Sequence, residues 1–134
     1  MAKYKKKLDA DIRCPLEYGL TIFGGKSGEY PQKLYKALMN SQTVLTVWDD
    51  ARLVGLIRFL DDSEMLAQIH YVLVHPEYQG QGIAGRMVEY IKEKYKNFMY
   101  LELMPEDKNN VPFYEKHGFH VMENGAAMQI CNIN

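Results

Sequence analysis

Two hydrophobic periods run through this chain, and the change from one to the other predicts most of its elements. Residues 3–8 (Lys-Tyr-Lys-Lys-Lys-Leu) alternate like an edge strand. Residues 24–28 (Gly-Gly-Lys-Ser-Gly) are a loop by composition. Residues 30–40 carry Pro31, suited to a first helical turn, and then place Leu34, Tyr35, Leu38 and Met39 at helical spacing. Residues 42–48 and 53–60 alternate in period two around Asp49-Asp50-Ala51-Arg52, which predicts a β-hairpin. After a turn at 61–64, the β-rich run Leu66–Val74 reads as a strand buried on both faces. Residues 75–81 form a loop. In 83–95, Ile83, Met87, Ile91 and Tyr95 make one stripe, broadened by Ala84 and Val88, and predict a helix. Residues 98–104 predict a strand, and 110–117 a short helix stopped by Gly118. Residues 119–122 and 126–130 predict a closing hairpin around Glu123-Asn124-Gly125. Antiparallel strands, one strand–helix–strand crossover, a short helix and a hairpin make an α/β fold with a mixed, mostly antiparallel sheet flanked by helices.

Composition narrows the classes. At 134 residues the chain has room for one domain, residues 1–134, and its 47% apolar and 25% charged residues are globular values. A net charge of −1 argues against nucleic-acid binding, which needs a basic surface. No stretch approaches the roughly 20 apolar residues of a membrane helix, and no early apolar run marks a signal peptide. Cys14 and Cys131 lack CxxC spacing and read as free thiols of a reducing compartment, so a cytoplasmic location is expected. His70, His75, His117 and His120 are scattered, and no metal site is expected.

The informative segment runs from Val72 through His75-Pro76-Glu77-Tyr78 to Gln79-Gly80-Gln81-Gly82-Ile83-Ala84-Gly85. A strand enters a glycine-rich loop that opens a helix. Glycines let backbone approach a ligand, and the first helical N–H groups have no internal partner at the positive end of the dipole. A phosphate or pyrophosphate suits that position. Gly80-x-Gly82-x-x-Gly85 also spells the dinucleotide fingerprint, with Glu102 at the distance of the ribose-binding acid. Context rejects that reading. The first glycine should turn directly after the strand, yet five residues intervene, hairpins precede the loop, and too little chain follows Glu102 for a doubly wound sheet. A P-loop is excluded because no Lys-Ser or Lys-Thr follows the glycines.

The same residues resemble the GNAT superfamily of N-acetyltransferases. Gln79-Gly80-Gln81-Gly82-Ile83-Ala84 matches its acetyl-CoA loop, Gln/Arg-x-x-Gly-x-Gly/Ala, and Val72-Leu73-Val74-x-Pro76-Glu77-Tyr78 is similar to its fourth strand and following turn. Phe113-Tyr114-Glu115-Lys116-His117-Gly118-Phe119 is similar to its later FYEKxGF motif, in the family's order and at its usual separation. The resemblance runs from about Leu45 to the C-terminus and is strongest after Leu66.

It implies a GNAT-like fold, acetyl-CoA as co-substrate and an amine acceptor. Backbone groups of Val72, Leu73 and Val74 would pair with the pantetheine amides as an added strand would. Backbone N–H groups from Gln81 through Ile83, Ala84 and Gly85 to Arg86, with Gly80, would cradle the pyrophosphate behind Gln79. Fourth and fifth strands diverging at a bulge would open a slot for the thioester. Asn109 or Asn110 would cap the last helix, and Asn110 would touch CoA. Tyr114 would sit near the sulfur and protonate the departing thiolate, a step open to a phenol of pKa about 10. With ten tyrosines in the chain, helix packing is its competing role.

The base that takes the amine proton is open among His70, Glu102 and a chain of waters. Simple alternation puts Gln68 and His70 on one strand face and Tyr71 on the other, and Gln68 stands where some relatives carry Glu. Neither cysteine has an activating partner in sequence, so direct transfer without an acyl-enzyme is expected. The aromatic and methionine residues of 30–40 belong to the core or to an acceptor pocket. The acceptor is a small-molecule or peptide amine, the protein a monomer or homodimer. The alternatives are a non-catalytic acyl-CoA-binding module of the same fold and a nicotinamide-dinucleotide binder.

Overall fold

Strand-forming runs assemble into one sheet whose spatial order, β1-β2-β3-β4-β5, is also the chain order. The structure is a computed structural model and describes residues 2–5 and 29–132. Cys14, the loop at 24–28 and the end of the first expected strand lie outside the described residues. The chain divides into two compact units, Met1–Leu103 and Met104–Asn134.

In the first unit, β1 (Ala2–Lys5) lies at the sheet edge and pairs antiparallel with β2 (Thr43–Asp49). That is the edge position its lysines predict. The tight turn after β2 reverses the chain into β3 (Arg52–Asp61), as the hairpin reading requires. β4 (Leu66–Val74) pairs antiparallel with β3, and β5 (Tyr100–Leu103) pairs parallel with β4. Helix α1 (Pro31–Met39) packs Leu34 and Leu38 with Val44, Trp48, Leu53, Leu56 and Tyr71. Tyr30 and Met39 of the same segment are exposed, so only part of it is core. Helix α2 (Ile83–Lys94) buries Ile83, Met87, Val88 and Ile91, and Tyr95 follows on the same stripe. Its N-terminus meets the other sheet face, because a Cβ built on Gly55 of β3 points at Ile83. At its far end the Tyr95 ring stands edge-on to Phe59, 5.0 Å between centroids. The expected mixed, mostly antiparallel sheet with flanking helices is therefore present.

One burial expectation is corrected. β2 and β3 are the strands buried on both faces, whereas β4 alternates exposed and buried from Leu66 to Tyr71. A continuous apolar run near the end of β4 resembled a doubly buried strand. In the fold, Leu66 and Gln68 stay exposed while Ala67 and Ile69 beside them are buried, so no element among the described residues covers the face that Leu66 and Gln68 share.

In the second unit, a 3-10 turn (Lys108–Asn110) leads into α3 (Val111–Lys116). Asp107, rather than either asparagine, accepts the capping bond, from Asn109 N–H at 2.9 Å. Asn110 is already in helical conformation and its side chain caps nothing. Gly118 adopts a φ of 95° just past the helix. Phe119 N–H donates to Tyr114 C=O and Gly118 N–H to Glu115 C=O, the paired bonds of a Schellman stop. The expected closing hairpin is overturned. Gly125 N–H does turn back to Met122 C=O, but residues 119–122 and 126–130 belong to no strand. A two-stranded ribbon is marginal without a face to pack on. Met128 and Ile130 remain 94% and 88% exposed.

Candidate functional site

β4 supplies the frame of the site. On one edge it bonds to β3 as far as Val74, opposite Gly55. On the other edge β5 stops at Ile69, opposite Leu103. Val72, Leu73 and Val74 thus form a half-buried stretch with one unpaired edge among the described residues, able to add an extended ligand as a strand would. The Val74 carbonyl already accepts from Gln79 Nε2 at 3.1 Å.

A bulge marks the point of divergence. Arg58 pairs with Tyr71 and Phe59 with Ile69, so His70 is the extra residue of β4. The bulge corrects the facing drawn from simple alternation. His70 and Tyr71 lie on the same side, their rings 4.2 Å apart, because an inserted residue breaks the period of two.

Beyond Val74 the chain makes a 3-10 turn (Pro76–Tyr78) and then the glycine loop. Gly80 and Gly82 have φ of 81° and 80°, conformations that L side chains rarely adopt. A Cβ built on either would meet nothing within 4 Å, so open space lies over both. Gly82 is the N-cap of α2 and provides no side-chain cap. Its carbonyl accepts the first helical bond, from Arg86 N–H at 3.1 Å. The N–H groups of Gly82, Ile83, Ala84 and Gly85 precede that bond and form the donor set at the positive end of the helix. Arg86 leaves the expected set of backbone donors, since its N–H is spent inside the helix, and its side chain is exposed.

The loop is braced from the β2–β3 hairpin. Tyr78 O–H donates to Asp49 at the end of β2. Arg52 pairs with Glu77 at 3.0 Å and lies over the Tyr78 ring. Its Nη2 also approaches His75 Nε2 at 3.1 Å, while His75 Nδ1 accepts from Glu77 N–H. His75 is thus the loop residue its position suggested.

His70 has a partner that sequence reasoning missed. Arg58 Nη1 lies 2.7 Å from His70 Nδ1. A guanidinium can only donate, so Nδ1 accepts and the ring proton of the neutral imidazole sits on Nε2. Arg58 Nε donates to Ser41 Oγ at 2.8 Å, and Ser41 Oγ donates to the Ala37 carbonyl of α1. The available signal was Arg58 itself, a lone charge inside the apolar run Leu-Val-Gly-Leu-Ile-Arg-Phe-Leu. Glu102 is half-buried on β5 in register with Gln68.

Tyr114 and Asn110 belong to the second unit. The Tyr114 ring stands between Phe113 and Phe119, at 5.0 and 6.0 Å. Burial pushes its phenol above the ordinary value. Phe119 is therefore the hydrophobic partner of the Schellman stop, so the Tyr-x-x-x-Gly-Phe spacing has a structural cause of its own. Cys131 is free and exposed. Among the described residues no cluster of His, Cys, Asp or Glu is suited to a metal, and no helix is long and apolar enough to cross a membrane.

Comparison with known proteins agrees with this geometry. Residues 16–119 match the family model described as Acetyltransferase (GNAT) family. A curated relative from Prochlorococcus marinus, described as an uncharacterized N-acetyltransferase ycf52-like, is 28% identical over 99 residues. That match takes in 70% of this chain and 55% of the relative, so the chain spans about half of the relative's length. A structure from meticillin-resistant Staphylococcus aureus, described as a probable acetyltransferase, is 28% identical with a TM-score of 0.83, covering 98% of this chain and 99% of that one. A GNAT family acetyltransferase from Streptococcus pneumoniae is 27% identical with a TM-score of 0.78, covering 100% and 98%. With most of its length matched by the family model and its glycine loop opening α2 beside a half-paired β4, this chain belongs to the GNAT family of acetyltransferases.

Proposed function

We propose that this protein moves an acetyl group from acetyl-CoA directly to a primary amine. One observation carries the reading: a left-handed Gly82, with open space where a Cβ would lie, starts α2 with N–H groups that precede the first helical bond, next to a β4 edge unpaired among the described residues. Those donors suit the pyrophosphate, and the β4 edge at Val72 to Val74 suits the pantetheine amides. Gln79, Gly80 and Gln81 shape the loop, and Arg86 offers an exposed cation. Asn110 is the further CoA contact in this reading.

In the reaction the amine nitrogen bonds to the thioester carbon and the C–S bond breaks. Tyr114 gives its phenolic proton to the thiolate and recovers one from water. Its burial, which holds the phenol protonated, supports that role. While Arg58 occupies His70 Nδ1, His70 has no lone pair left to accept a proton, so the amine proton passes to water. The whole chain acts as one acetyltransferase domain in the cytoplasm, as a monomer or homodimer, on a small-molecule or peptide amine.

Release of free CoA thiol from acetyl-CoA, followed across a panel of amines, tests the reading. Amine-dependent release is expected, and it should persist in a folded Cys14→Ser, Cys131→Ser variant. A trapped acetyl-cysteine or ping-pong kinetics would overturn direct transfer. Tight acetyl-CoA binding with no release on any amine would leave a binding module. Tighter binding of NAD than of CoA would overturn the assignment of the loop.

A further inference from the structure

Arg58 is a half-buried cation, and each of its contacts is neutral. It donates to Ser41 Oγ and to His70 Nδ1, and it lies over the Tyr71 ring at 5.8 Å from the centroid. No carboxylate pairs with it among the described residues. Partial burial makes an anion a favourable partner for a guanidinium, because desolvation of a charge is costly unless it is paired. Burial lowers the pKa of Arg58 from its ordinary value, with Tyr71 opposing the shift. Two of its five N–H groups are engaged by Ser41 and His70, and the other three meet no protein acceptor among the described residues.

The surroundings hold the guanidinium in a defined pose. Ser41 is anchored to the C-terminal turn of α1 through Ala37, so Arg58 is held from the α1 side of the sheet. His70 is the bulge residue of β4, where β4 has parted from β5. With Nδ1 taken, the ring proton of the neutral imidazole lies on Nε2, and His70 holds the Arg58 guanidinium at the divergence.

The coenzyme phosphates do not account for this cation. Gly55 faces Ile83 at the start of α2, on one face of the sheet. Arg58 is three residues further along β3, about 10 Å at 3.3 Å per residue, and its side chain bonds on the opposite face.

We propose that Arg58, held by Ser41 and His70, determines acceptor specificity by binding a carboxylate or phosphate group carried on the same molecule as the reactive amine. The proposal rests on the acetyltransferase reading for the amine, and its anion-binding half can be tested without turnover.

The kinetic test compares a neutral alkylamine, an ω-amino carboxylate and an aminoalkyl phosphonate of equal chain length, using the whole protein with acetyl-CoA. Wild-type protein should favour an acidic amine over the neutral one in kcat/KM. Arg58→Gln should reduce that preference about 10- to 100-fold, the range for losing a bond to a charged group, and the loss should fall on KM. Arg58→Lys should restore part of it as a point charge. The carboxylate and phosphonate arms identify which oxyanion is taken. No acid preference in wild type overturns the proposal. An equal fall in kcat on acidic and neutral amines does so too, because it would make Arg58 a stabiliser of the reaction's own oxyanion.

The second measurement follows the imidazole nitrogen resonances of His70 as β-alanine, 3-aminopropylphosphonate or propylamine is added at millimolar concentration. A shift with either acidic amine and none with propylamine is expected. Equal response to all three, or none to any, overturns the proposal. Calorimetry of acetyl-CoA binding on the same sample separates this outcome from failure of the acetyltransferase reading.

Discussion

At Gly82 the requirement is for backbone conformation as well as ligand access. A Cβ there would meet no protein atom within 4 Å, yet the residue would have to adopt a φ of 80°. Gly82→Val should therefore cost about 1–2 kcal/mol of backbone strain. It should also weaken acetyl-CoA by at least a factor of about ten, or ~1.4 kcal/mol, in calorimetry on folded protein. Unchanged binding would remove the loop from the coenzyme site. Tyr114→Phe keeps the ring against Phe113 and Phe119 and removes the proton donor. With chemistry rate-limiting, kcat should fall roughly 10- to 100-fold while acetyl-CoA affinity and Tm hold. Because burial raises the phenol, Tyr114 stays protonated past its ordinary value, and wild-type kcat should show no loss from its ionisation up to about pH 10. Wild-type kcat in Tyr114→Phe would return it to packing. Asp62 illustrates a purely structural carboxylate. Its Oδ1 accepts from the N–H groups of Glu64, Met65 and Leu66 at 2.9, 2.8 and 3.1 Å, and these bonds lower its pKa. Its stabilising contribution is thus present above the unfolded value of about 3.9 and is lost as pH falls through the lower folded value. Asp62→Asn should flatten that acid loss of Tm, and an unchanged acid profile would contradict it.

At the scale of elements, the crossover of β4, glycine loop and α2 was the most legible part of the chain. Ile83, Met87, Ile91 and Tyr95 are all buried, as their period of nearly four predicts. The bulge was not legible. The run Ile69-His70-Tyr71 alternates without a break, and only pairing with Arg58 and Phe59 shows where the extra residue lies. Contact between β3 and α2 was hidden for a similar reason, since Gly55 looks like a weak point in a strand. In the fold it is the gap into which the helix settles, because a Cβ there would come within 3.2 Å of Ile83 Cγ2 and Val47 Cβ. Gly55→Val should overpack this contact and cost about 1–3 kcal/mol. Thermal unfolding would show it as a fall in Tm of roughly 2–8 °C per kcal/mol. A neutral outcome would mean that α2 can shift away from β3 without loss.

For the whole molecule, acetyl-CoA that binds only the folded chain must stabilise it by mass action. At a free concentration a hundred times Kd the gain is about 2.7 kcal/mol, which differential scanning calorimetry should record as a rise in Tm that grows with ligand. The rise should largely vanish in Gly82→Val at the same concentration. What the sequence determined by itself was whatever depends on neighbours along the chain. That includes the strand and helix periods, the glycines with left-handed φ, the stop at Gly118 and the family resemblance of two ordered motifs. Tertiary structure alone decided what depends on partners far apart in sequence. β2 and β3 became the doubly buried strands because helices from elsewhere in the chain cover both faces, α1 on Val44, Trp48, Leu53 and Leu56 and α2 with Ile83 against Gly55. The segment after Phe119 has a hairpin's turn residues at Glu123-Asn124-Gly125, but a two-stranded ribbon needs a face to pack on before it is stable. Arg58 and His70, twelve residues apart, meet because antiparallel pairing and one inserted residue bring His70 to the guanidinium that Ser41 holds at the end of α1. No local period encodes that meeting.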